Sequence, residues 1–142
     1  MNFTLHPRLM ADTDLLGELP LCQVLLSKEQ VGPWIILVPK ISDLKEIHHL
    51  PEHSQIELIK ESSFVAQLLE EHFSPDKINV GALGNLVPQL HLHHIARFTS
   101  DIAWPGPIWG NTDGTKRSIE QQQQLIQQLQ DLLTTNNDFS RN

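Results

Sequence analysis

The sequence predicts an α+β domain built on an antiparallel sheet, and three observations carry that expectation. Two short aliphatic runs, Cys22–Ser27 and Trp34–Val38, flank a polar segment with Gly32-Pro33, as the arms of a hairpin do. A long amphipathic stretch then runs from Pro51 to Phe73. Beyond it, Lys77–Leu83 and Leu90–Phe98 again read as strands, so one helix is wedged between two strand pairs.

Each element has a local reason. Pro7–Leu16 predicts a short helix closed by Pro20. Trp34–Val38 is β-branched and apolar and stops at Pro39. Pro51 suits the first turn of the long helix. In that helix Ile56, Ile59, Ser63, Val65, Leu68, Leu69 and Phe73 recur near the helical period, which turns Glu57, Lys60, Glu61 and Glu70 toward water. Pro75-Asp76 breaks it, and Gly84-Asn85 makes a turn between the next two strands. Ala103–Gly110 holds two tryptophans among Pro and Gly, an ordered loop that pins large aromatics onto the domain or a partner chain. In the Gln-rich tail, Ile119, Leu125, Ile126, Leu129, Leu132 and Leu133 keep helical spacing, so an amphipathic helix is expected, frayed from Thr134 onward.

Composition narrows the function. A chain of 142 residues supports a single core, and 39% hydrophobic with 19% charged residues is the balance of a soluble globular domain. A net charge of −7 argues against nucleic acid, since a polyanion needs clustered cations. No apolar run reaches membrane-spanning length and no signal peptide is visible, so no membrane partner is expected. Cys22 is the only cysteine, which excludes an internal disulfide and makes a reducing cytoplasm the simplest location. At a strand start it reads as a small buried hydrophobe.

The eight histidines are the unusual feature, three of them crowded at His91, His93 and His94. On a strand, Gln89, His91, His93 and Arg97 share one face, while Leu90, Leu92, His94 and Ala96 share the other. Imidazole is a competent nucleophile that changes charge near neutral pH, and a neighbouring ring or amide can fix its tautomer. The preceding Gly84-Asn85-Leu86 segment can offer backbone N–H groups to an anion. Together these read as a phosphate site. Two histidines at that spacing can also share a zinc ion. His48, His49 and His53 stand at no recognisable third-ligand spacing, and no metal is expected. His94 reads as a satisfied or interface histidine, and Arg97 as one end of a salt bridge.

Gln89-Leu90-His91-Leu92-His93-His94-Ile95 resembles the histidine-triad (HIT) signature, with Gln in the first histidine's place. The hairpin from Leu21 to Pro39, the Ile47-His48-His49-Leu50 segment before the long helix, Asn79 and Gly84-Asn85 extend the likeness over residues 20–98. Ile-Ala-Arg followed by Trp-Pro-Gly-Pro-Ile-Trp-Gly is similar to a bacterial subgroup labelled diadenosine polyphosphate hydrolase-like. The resemblance implies a HIT-like fold: a five-stranded antiparallel sheet with one long helix over residues 1–110, and a C-terminal helical extension over 111–142. It implies a homodimer that cleaves a dinucleoside polyphosphate or nucleoside phosphoramidate at the α-phosphate, with a purine nucleotide as substrate and no cofactor. His91 is then the nucleophile, carrying a nucleotidyl intermediate. His93 donates to the phosphate or orients the neighbouring ring, and Gln89 holds a tautomer through its amide. Asn79, Gly84, Asn85 and Leu86 grip phosphate and ribose. Gln89 cannot titrate, and Leu86 stands where many members carry a hydroxyl. Trp34 occupies a position that is often His, where it can stack on a base or pack in the core.

Overall fold

A computed structural model describes residues 2–142. Its elements are α1 (Pro7–Asp12), β1 (Thr13–Glu18), β2 (Cys22–Ser27), β3 (Trp34–Pro39), a 3-10 turn at Ile47–His49, α2 (Glu52–Phe73), β4 (Lys77–Gly81), β5 (Leu92–Arg97), α3 (Ile119–Leu133) and β6 (Ser140–Arg141). The strands form one antiparallel sheet in the order β4-β5-β3-β2-β1-β6. The fold is α+β, with one strand more than the five expected.

Both ends of the chain depart from expectation. The first helix stops at Asp12 rather than Leu16, and Thr13–Glu18 joins the sheet beside β2. A register shift between Leu15 and Gly17 breaks the two-residue period that would have marked β1 as a strand. The end expected to fray from Thr134 turns back instead. Phe139 is buried, and β6 pairs with β1. Gly17 permits this closure, because a Cβ there would stand 2.2 Å from the Ser140 carbonyl oxygen.

Strand alternation sorts the apolar residues into two cores. Ile35 and Leu37 of β3 join Val24, Leu26 and Leu92 under α2 and α3. Trp34, Ile36 and Val38 turn to the opposite face with Leu25, Ile95, Val87 and Ile108. α3 begins at a capping box in which Ser118 and Gln121 satisfy each other's backbone N–H groups. Its Leu129 and Leu133 are fully buried in the core that α2 covers.

The buried face of α2 is rotated from the expected one. Leu58, Glu61, Ser62, Val65, Leu68 and Leu69 face inward, whereas Ile56 and Ile59 are 48% and 60% exposed. The expectation followed the apolar spacing with Ser63 filling one place, yet Ser63 is exposed, and Glu61 and Ser62 are buried instead because the sheet supplies partners. The Glu61 carboxylate accepts the backbone N–H groups of Leu21 at 2.8 Å and Cys22 at 3.0 Å. Burial still pushes its carboxyl above the usual range, against the pull of those donors. Cys22 is fully buried, and burial pushes its thiol up as well. Among the described residues no helix is long and apolar enough to cross a membrane.

Candidate active site

β5 lies between β3 and β4, and that position builds the site. Its register sets His93 opposite Ile36 on one side and Gly81 on the other, with Ile95 opposite Trp34. Every β5 residue is buried, so the histidines are held by the sheet rather than by solvent-exposed loops. His91 stands one residue before the strand, is 7% exposed, and meets His93 edge-on with 4.9 Å between ring centres.

Each ring has a defined partner at Nδ1. The Nδ1 of His91 lies 2.7 Å from the Gln89 carbonyl oxygen. A carbonyl only accepts, so His91 carries its proton on Nδ1 and keeps a free lone pair on Nε2. The Trp34 indole N–H donates to the Nδ1 of His93 at 3.0 Å. Trp109 packs edge-on against His93 at 5.6 Å between ring centres. Gly81 makes that possible, since a Cβ there would press to 3.1 Å from the Trp109 ring. Burial pushes both imidazoles below the ordinary histidine range. His93 falls to about 3, with the neighbouring His91 and His94 adding to the effect. For His91, burial outweighs the hydrogen bond to Gln89. Both rings are therefore neutral at pH 7.

The two rings open onto a cleft of about 590 Å³, a volume suited to a small organic ligand. Leu9, Trp34, Ile36 and Trp109 give it apolar walls, and the Gly84–Val87 loop forms its rim. Arg8 and Lys116 bring positive charge, Asp12 and Glu29 negative. Among the described residues no three His, Cys, Asp or Glu side chains are grouped to hold a metal ion.

Residues 8–100 match the HIT domain family. The chain belongs to the histidine-triad family. Among solved structures it is similar to a histidine triad protein from Marinobacter aquaeolei VT8, at 50% identity and a TM-score of 0.91, covering 95% of this chain and 98% of that one. A histidine triad protein from Bradyrhizobium japonicum is 44% identical with a TM-score of 0.89, over 92% of this chain and 98% of the other. One from Sinorhizobium meliloti 1021 is 40% identical with a TM-score of 0.87, over 91% and 96%. No significant match was found among curated proteins.

Within this histidine-triad site the expected residues separate into three groups. His91, His93, Gly84, Asn85 and Leu86 converge on the cleft. Gln89 adjoins it but spends its side chain elsewhere. The amide oxygen accepts the His6 N–H at 2.9 Å, and the amide nitrogen donates to the Thr4 carbonyl at 2.9 Å. An amide can do both at once, so Gln89 clamps the N-terminal segment, and its contact with His91 is through its backbone carbonyl. Asn79 is outside the cleft. It shares the histidines' face further along the sheet, where it accepts from Arg97 Nη1 at 2.7 Å.

That Arg97 is 1% exposed and organises the tryptophan loop. It pairs with Asp101 at 2.8 Å, donates to the Gly106 carbonyl at 2.7 Å and lies 5.6 Å from the Trp104 ring centre. The hydrogen bonds from Arg97 hold the Asp101 carboxyl below its usual range. Sequence reasoning missed the Trp34–His93 hydrogen bond. Its partners are 59 residues apart, and no local spacing signals it.

Proposed function

We propose that this protein cleaves a nucleotide at its α-phosphate, through a nucleotidyl group carried on Nε2 of His91. The observation that carries the reading is the 2.7 Å contact from His91 Nδ1 to the Gln89 carbonyl. It leaves Nε2 basic and aims the ring without help from a third residue's side chain. His93 donates to the phosphoryl oxygens, Gln89 positions His91 through its carbonyl, and the backbone of Gly84, Asn85 and Leu86 cradles the phosphate. Leu9, Trp34, Ile36 and Trp109 support burial of a purine base. Asn79 acts behind the cleft, by holding Arg97 and the loop that carries Trp109. The substrate is a dinucleoside polyphosphate or a nucleoside phosphoramidate.

The test is intact-mass measurement after rapid quenching with diadenosine tetraphosphate and with adenosine phosphoramidate. A nucleoside monophosphate adduct is expected on the wild type, and none on His91→Ala, whose turnover falls by about 10³-fold or more. Adduct on both proteins, or undiminished turnover in the variant, overturns the assignment. A second reading, nucleotide binding with weak turnover, is favoured by the engaged side chain of Gln89 and by Leu86, which offers no hydroxyl. Tight nucleotide binding without adduct or product selects it.

The same reading includes a homodimer. β4 is an edge strand with unpaired backbone groups on its outer side, Val80 is 48% exposed there, and α2 shows Ile56 and Ile59. Sedimentation is expected to give a dimer at micromolar concentration and a monomer for Val80→Asp. A monomeric wild type sinks this part alone.

A further inference from the structure

The indole N–H of Trp34 is a donor with no acceptor capacity, so the Nδ1 it meets must present a lone pair. A neutral His93 then carries its single proton on Nε2. His91, beside it, carries its proton on Nδ1 because a carbonyl faces that atom. Two adjacent rings on one face are thus held in opposite tautomers. The first is a base at Nε2, and the second is a donor there.

Among the described residues nothing around His93 favours a second proton. Trp34 and Trp109 each stand 5.6 Å from it between ring centres. The titratable groups that bear on it are His91 and His94 of its own strand segment, both of which oppose added positive charge. The charged residues that line the wider cleft are Arg8, Asp12, Glu29 and Lys116. Arg8 and Asp12 lie 3.9 Å apart, and Glu29 accepts a hydrogen bond from Thr112 at 2.5 Å. From β3 His93 faces Ile36 across the register and receives the Trp34 indole, and from β4 it faces Gly81, none of which ionises.

We infer that Trp34 is a positioning residue that fixes His93 as a permanent hydrogen-bond donor and so selects phosphoanhydrides over phosphoramidates. The inference rests on the α-phosphate reading above and names its leaving group. In the first step the His91 Nε2 lone pair forms the N–P bond, and the P–O bond to the bridging oxygen breaks with its electron pair leaving on that oxygen. The proton on His91 Nδ1 stays at the Gln89 carbonyl. A polyphosphate departs as a stable anion and needs no proton. An amine leaving from phosphorus must take one, and a neutral imidazole N–H donates hydrogen bonds without surrendering its proton. Gln89, which holds the first place of the motif, cannot supply it either.

The experiment has two independent arms. In the first, ¹⁵N-resolved spectra of the histidine rings are recorded on the wild type between pH 5 and 9. His93 is expected to stay protonated on Nε2 alone across the range, and a His93 that titrates or carries its proton on Nδ1 overturns the proposal whatever the activity. In the second, kcat/KM is compared for diadenosine tetraphosphate and adenosine phosphoramidate. The anhydride is expected to react about 10²-fold faster or more, the size of a missing general acid. In Trp34→Phe, which frees the Nδ1 lone pair but leaves the ring buried, the gap should narrow toward acid pH, as the phosphoramidate rate rises. Equal rates in a wild type with the tautomer intact overturn the leaving-group preference. Absence of turnover on both substrates overturns the α-phosphate reading and this preference with it, while leaving the tautomer result standing. If Trp34→Phe does not fold, the wild-type spectra and the substrate comparison still decide.

Discussion

His93 and His94 are consecutive residues on one strand, both buried and both neutral, yet the fold completes only one of them. On the helical side, His94 is fully buried and both its nitrogens are engaged by protein. Its Nδ1 lies 3.3 Å from the Ile35 carbonyl, and its Nε2 lies 2.7 Å from the Ser62 hydroxyl of α2. A carbonyl accepts, so Nδ1 carries the proton and Ser62 donates to Nε2. On the cleft side, the hydrogen bonds involving His91 and His93 each engage Nδ1. One face of β5 therefore uses imidazole as a structural tie between sheet and helix. The other uses it as half-occupied chemistry. The residue type does not separate them, and the neighbouring layer does.

The largest expected effect breaks the comparison if it fails. His94→Ala removes the tie to Ser62 and opens a cavity, so unfolding in denaturant should show a loss of about 2–4 kcal/mol. Turnover per folded molecule should change by less than about threefold, because His94 faces away from the cleft. A variant that keeps its stability but loses its chemistry would assign His94 to the site. The pH dependence sharpens the same point. Burial holds His94 down at about 4, against 6.5 for a free histidine. The unfolded chain binds a proton that the folded chain refuses, so the tie contributes fully above about pH 6.5 and is lost as pH falls toward 4. The shift corresponds to about 3 kcal/mol. The stability gap between wild type and His94→Ala should therefore narrow across that window. His93 is shifted in the same direction, and because burial is its largest cause and His94 the last of three, most of its contribution is common to both proteins.

The two faces also differ in how far they could be read from the sequence. Alternation along Gln89–Arg97 separates His91 and His93 from His94 correctly, because a strand buried on both sides keeps its two-residue period. The spacing of Leu129 and Leu133 likewise marks the inner face of α3. Where polar groups are buried against distant partners, pattern fails. Glu61 reads as a solvent residue because nothing near it in sequence reveals the Leu21 and Cys22 N–H groups that it receives. Ile56 and Ile59 read as core, yet they lie on a face that the chain leaves open. β1 is missed because the irregularity between Leu15 and Gly17 disrupts its alternation. Trp34 offers two sequence readings, stacking or packing, and the structure gives it a third, since a buried indole needs an acceptor and His93 supplies one.

The smallest effect probes the rim of the cleft, where the site face gives way to solvent. Leu86 is 79% exposed and lines the cleft beside Gly84 and Asn85. Because it packs so little, Leu86→Ser should leave stability within about 0.5 kcal/mol of the wild type. A hydroxyl at this position adds a donor that the present loop lacks. If that donor meets the phosphoryl group only as charge develops on it, kcat should rise by up to about tenfold while KM stays unchanged. A fall in KM alone would mean that the hydroxyl grips substrate and transition state equally. Unchanged values of both would place the transferring phosphate out of reach of residue 86, leaving the loop's contribution to its backbone N–H groups. His94→Ala acts through folding and Leu86→Ser through rate, so each leaves alone what the other moves, as expected when the helical side of the sheet carries stability and the cleft side, with its rim loop, carries chemistry.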